Sequence, residues 1–145
     1  MLGIKRVDHV GMAVWNIEEQ LPLFTELFGL EVAGRFESPE EGFKGVVLNF
    51  PGRQLQLEIL EPLGEDSFLL KFLRERGPGF HHITCEVEDI DRAAAELRRY
   101  GIEPFRGVYS DGDWRATFIH PRDGSGILWQ LFTPLPEDQR ERGAK

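Results

Sequence analysis

Hydrophobic and polar positions alternate along residues 4–15, with Val10, Met12 and Val14 on one face of a strand and His9, Gly11 and Ala13 on the other. The period then changes. Asn16 stands where a helix N-cap is expected, Glu18 and Glu19 follow in the first turn, and Leu21, Phe24, Leu27 and Phe28 make an apolar stripe ending before Gly29. Pro22 interrupts this stripe and predicts a kink, or a helix that truly starts near residue 20. Alternation returns in three strands at about 30–37, 44–50 and 54–61, separated by turn signals at residues 38–42 and at Pro51-Gly52. Residues 66–76 read as a short helical connector broken by Gly77-Pro78-Gly79. After it come a strand at 80–87, a helix at 90–100 with Ile90, Ala94 and Leu97 on one side, and strands near 104–109, 115–120 and 126–133.

The second half repeats the first. Setting His9 on His82 puts Val14 on Val87 and Ile17 on Ile90, and Phe28-Gly29-Leu30-Glu31 matches Tyr100-Gly101-Ile102-Glu103 at a spacing of 72 to 73 residues. A chain of 145 residues with this self-similarity is expected to be two copies of one βαβββ module, an α+β fold with pseudo-symmetry. One domain is expected over residues 1–137, with module one at about 4–62, a connector at about 63–79 and module two at about 80–133. Residues 138–145, charged and aperiodic, are expected to form a frayed tail.

Composition narrows the function. A net charge of −8 and the lack of a basic stripe argue against a nucleic-acid surface. No apolar run is long enough to span a bilayer, and the single cysteine, Cys85, fits a reducing, cytoplasmic setting. An anionic substrate would then need a local cation, from Lys or Arg or from a bound metal.

Strand parity selects the residues for that metal. His9 faces away from the side that packs under its own helix, and His82, Thr84 and Glu86 do the same in module two. In the last strand of each module, Leu55, Leu57 and Ile59 fill one face while Gln54, Gln56 and Glu58 lie on the other. Gln130, the one polar residue of 127–132, stands 72 positions after Glu58. Symmetry thus yields His9, Glu58, His82 and Gln130. Two imidazoles, a carboxylate and an amide oxygen suit a divalent ion such as Co, Mn, Ni, Zn or Fe, with positions left for water or a bidentate substrate. Among the remaining candidates, His81 is expected to hydrogen-bond near its strand start, His120 to serve a turn, Cys85 to be core, and Trp15, Trp114 and Trp129 to pack. Lys44 reads as a solvated lysine, and Glu86 as a rim carboxylate and a weak candidate for a second base.

These residues resemble the vicinal oxygen chelate (glyoxalase/bleomycin resistance/dioxygenase) superfamily, and within it the methylmalonyl-CoA epimerases. The resemblance runs over about residues 5–133. It is carried by residues 7–14, by Leu57 through Ser67, by the connector from Lys71 into His81-His82-Ile83, and by His120-Pro121 through Leu128. It implies a curved, partly open mixed sheet around a central cavity, a metal held by His9, Glu58, His82 and Gln130, and a homodimer acting on a small molecule of the acyl-CoA thioester class. The metal would chelate the thioester and a carboxylate oxygen while a base removes the α-proton and an acid returns one on the other face. Gln130 departs from the family, whose last strand usually ends in Glu there. A Gln cannot take a proton, so Glu58 is the expected catalytic base. The same scaffold serves glyoxalase-type isomerases, Fe(II) dioxygenases and non-catalytic binding or resistance proteins, which are the alternative readings.

Overall fold

The computed structural model describes residues 1–140. The chain forms two compact units: one spans His9–His81, and the other joins Met1–Asp8 to the chain from His82 onward. The first eight residues thus belong with module two, which the repeat did not foretell. Glu88 donates its N–H to Gly3 O at 3.0 Å, and Lys5 and Arg6 both bond Glu86.

In the first unit the strands are β1 (Ile4–Ala13, which begins in the other unit), β2 (Glu31–Ser38), β3 (Phe43–Asn49) and β4 (Gln56–Pro62), in the order β2-β3-β4-β1. β1 runs parallel to β4, and the other pairs are antiparallel. In the second unit, β5 (Gly79–Val87), β6 (Phe105–Asp111), β7 (Trp114–Ile119) and β8 (Leu128–Pro134) are ordered β5-β8-β7-β6, again with one parallel pair, β5 with β8. The βαβββ order is the one expected in both modules.

The strands of each unit bury apolar side chains under that unit's helices. In the first unit, α1 (Ile17–Pro22) sets Ile17 and Leu21 on Val14, Val46, Leu48, Leu57 and Ile59, with Val10 and Met12 packed alongside. Asn16 caps it as expected, its side-chain oxygen accepting from Glu19 N–H at 3.1 Å, and the helix starts at Ile17 rather than near residue 20. What Pro22 causes is not a late start. The chain continues from it into a π-helical turn, Leu23–Leu27, in which Phe28 N–H reaches back five residues to Leu23 O at 3.1 Å. The wider turn breaks the 3.6-residue phase. Leu27 and Phe28, expected in the buried stripe, are therefore 75% and 56% exposed. α2 (Phe68–Arg76) packs Leu69 and Leu73 against Ala13 and Leu60.

In the second unit, α3 (Ile90–Tyr100) is regular. Asp89 caps it by accepting from both Asp91 and Arg92 N–H, and Gly101 closes it in the left-handed conformation at φ 98°. Ile90, Ala93 and Leu97 lie on Cys85, Val87 and Leu131. Where a frayed tail was expected from residue 138, Glu137–Gln139 make one 3-10 turn and Arg140 Nε donates to Leu135 O at 2.7 Å; residues 141–145 lie outside the described residues. Among the described residues no helix is long and apolar enough to cross a membrane.

Candidate functional site

The parallel strand pairs place the candidate side chains. In the first unit, His9 is level with Gln56 and Gly11 with Glu58; in the second, His82 is level with Leu128 and Thr84 with Gln130. The two registers are identical, so each module offers a histidine and, one step along the same face, an acid or an amide on the neighbouring strand. The faces are the ones parity predicted. Val14 is in the helix-side core of the first unit, with Val10 and Met12 packed against it; Cys85 and Val87 are in that of the second, with Ile83 packed against it.

In the first unit, His9 Nε2 lies 3.6 Å from Glu58 Oε2, with side chains 9% and 17% exposed. That separation is beyond good hydrogen-bond range, and two donor atoms each about 2.1 Å from a shared cation can span it. An imidazole and a carboxylate with donor atoms this close, and largely out of water, are hard enough and charged enough to share a divalent cation. The pair is chemically suited to a metal ion. Gly11 supplies no side chain beside Glu58, whereas Gln56 turns its amide to Asn49 Oδ1 at 2.8 Å.

In the second unit, His82 is 6% exposed. Gln130 is held at both ends: the Thr84 hydroxyl donates to its Oε1 at 3.0 Å, and its Nε2 donates to the Tyr109 phenol oxygen at 3.1 Å. The Tyr109 ring stacks on Phe118, the strand neighbour of Gln130, with centroids 5.8 Å apart. Nothing in the linear pattern singled out Tyr109. β6 changes register between Phe105 and Tyr109, where Arg106 and Gly107 both take positive φ, so alternation cannot be carried across it.

A model of the glyoxalase/bleomycin resistance protein/dioxygenase superfamily matches residues 8–118, which include His9, Glu58, His82 and Thr84. The chain belongs to this superfamily. Methylmalonyl-CoA epimerases are among the superfamily members it is similar to. The ethylmalonyl-CoA/methylmalonyl-CoA epimerase of Cereibacter sphaeroides is 34% identical over 136 residues, 88% of this chain and 97% of that one. The methylmalonyl-CoA epimerase structure from Mycobacterium tuberculosis superposes with a TM-score of 0.82 at 30% identity, covering 93% and 91% of the two chains. A methylmalonyl-CoA epimerase in complex with methylmalonyl-CoA and NH4+ gives 0.78 at 30% identity, covering 92% and 99%.

Glu86 is not at a rim. It is 8% exposed, and Lys5 Nζ at 2.9 Å and Arg6 Nε at 2.7 Å bond its two oxygens. Those bonds hold its carboxyl below the usual range, which makes it a poor proton acceptor. His81, expected to hydrogen-bond at its strand start, packs on the rings of Phe68 and Phe72; burial, with the Arg76 charge nearby, takes its pKa down to about 4. His120 Nδ1 accepts from Arg122 N–H, as a turn residue should. Trp114 stacks on Phe132 and Trp129 donates to Gly124 O, while Trp15 is 49% exposed and is not packed as expected. Lys44 is paired with Glu61 at 3.2 Å rather than simply solvated. Cys85 is core, and burial pushes its thiol pKa up.

Proposed function

We propose that this protein is a metal-dependent epimerase of an acyl-CoA thioester of the methylmalonyl-CoA type. The observation that carries the reading is the likeness, over nine-tenths of the chain, to an epimerase solved with methylmalonyl-CoA bound. By the symmetry of the repeat, His9, Glu58, His82 and the amide oxygen of Gln130 would hold the metal, a set of two imidazoles, one carboxylate and one amide. Co, Mn, Ni, Zn and Fe all accept such a set. When bound, a divalent ion supplies positive charge that polarises the thioester carbonyl and steadies the oxyanion of its enolised form.

The chain's own residues do the rest. Glu58 takes the α-proton, because it is the one member of the four able to act as a carboxylate base; Gln130 has no proton to gain at neutral pH. Glu86, locked by Lys5 and Arg6, stays out of the proton transfer. The same reading makes residues 1–137 one domain of a cytoplasmic homodimer, so light scattering is expected to give twice the chain mass of 16.6 kDa.

The test is solvent-deuterium incorporation at the α-carbon of methylmalonyl-CoA by the metal-loaded protein, followed by mass spectrometry. Incorporation with loss of stereochemical purity is expected. A fully loaded protein that exchanges nothing would sink the proposal and turn attention to the dioxygenase reading, for which the His9, His82 and Glu58 set is formally adequate.

A further inference from the structure

An amide and a carboxylate are not equivalent metal ligands. A carboxylate presents oxygen whichever way it rotates, whereas an amide presents oxygen on one side and an NH2 group, which repels a cation, on the other. The terminal torsion of a glutamine is also broad and poorly restrained by itself. A glutamine that is to ligate must therefore be held. In the second unit Gln130 is held by two hydroxyls at once, from Thr84 at 3.0 Å and Tyr109 at 3.1 Å. Thr84 is fully buried, and Tyr109 is fixed by its stack on Phe118, so neither partner is a mobile surface group. With Nε2 turned to the phenol, Oε1 keeps its second lone pair beyond the bond from Thr84.

We propose that Thr84 and Tyr109 are positioning residues that clamp the Gln130 amide with its oxygen presented as a metal ligand. In the module that carries Glu58, Gly11 stands where Thr84 stands, and a carboxylate, with oxygen on both sides, does not require a clamp to present oxygen. The inference rests on the reading of Gln130 as a ligand. Partners in this outer position typically change metal affinity by about 10- to 100-fold when removed.

Titration of Mn2+ into metal-stripped full-length protein, followed by calorimetry, tests it without reference to turnover. Tyr109→Phe and Thr84→Val should each weaken Mn2+ binding by about tenfold, while Thr84→Ser, which keeps the hydroxyl, should bind like the parent. Placed in a Gln130→Ala background, Tyr109→Phe should add nothing, because the clamp then has nothing to hold. Thermal melts of each variant separate these effects from misfolding, and Thr84→Val, nearly isosteric, serves should Tyr109→Phe fail to fold. If Gln130→Ala weakens binding but Tyr109→Phe and Thr84→Val bind as tightly as the parent, the clamp is overturned. If Gln130→Ala itself leaves the affinity unchanged, Gln130 is not a ligand and the underlying assignment fails instead.

Discussion

In the first module the strand pair carrying His9 sets a glycine, Gly11, beside Glu58; in the second, the same register sets Thr84 beside Gln130. The backbones are copies, yet the surfaces they present differ. Glu58 is flanked on β3 by Val47 and faces His9 at 3.6 Å, whereas Gln130 is flanked on β7 by Phe118, stacked by Tyr109, and bonded at both ends of its amide. Duplication of a fold thus supplies two equivalent positions, and divergence of single side chains decides which of them carries an ionisable acid. One module sets the acid beside a histidine; the other fixes an amide with two hydroxyls.

Exchanging the two groups is the sharpest test of this asymmetry. Glu58→Gln should lower α-proton exchange by about 10²- to 10⁴-fold, the usual contribution of a general base, while Gln130→Glu should leave it within about tenfold of the parent. The double variant, with acid and amide swapped, should recover part of the lost rate if the two positions are interchangeable. A Glu58→Gln protein that exchanges at the parental rate would end the assignment of the base.

The helices offer a second comparison. Leu97 lies 3% exposed in the regular α3, whereas Leu21 is 9% exposed just before Pro22 and the π-helical turn. Leu97→Ala should cost about 2–5 kcal/mol in urea unfolding, and Leu21→Ala should fall at the lower end of that range because its looser surroundings can relax. Smaller still are the caps. Asp89 accepts two N–H groups and Asn16 one, so Asp89→Ala should destabilise by about 1–2 kcal/mol and Asn16→Ala by about 1 or less. Equal losses at both caps would deny the difference.

The weakest effect concerns pH. The Glu86 carboxyl is held below its ordinary 4.5 by Lys5 and Arg6, and Arg6 also pairs with Asp8. A lowered carboxylate pKa means that the stabilisation is complete above the unfolded-state value and is lost as pH falls through the lower folded-state value. Denaturation followed from pH 7 downward should therefore show Glu86→Gln losing part of the acid-side slope below about pH 4.5, with little change in slope above it.

Much of the first module's site was legible because parity is a local property. His9 and Glu58 each sit in an unbroken alternating strand, so their faces follow from counting. Tyr109 was hidden because β6 is bulged at Arg106 and Gly107, and a bulge resets the count. Glu86 was misplaced at a rim for a different reason: its partners, Lys5 and Arg6, lie some 80 residues away in sequence, and no spacing rule pairs them. Leu27 and Phe28 were misplaced because Pro22 signals a fault in the helix without saying that a π turn will absorb it.

Periodicity, repeat spacing and residue type, all short-range or self-referential, determined by themselves the doubled βαβββ order, the helix-side core and the strand register positions of His9, Glu58, His82 and Gln130. The tertiary structure decided what each polar group does once placed. It tied Glu86 to the first strand, packed His81 on aromatic rings, and clamped Gln130 between Thr84 and Tyr109. Those outcomes depend on desolvation and on hydrogen-bond partners that only folding brings within 3 Å or so, and a burial-driven interaction has no signature in a linear pattern.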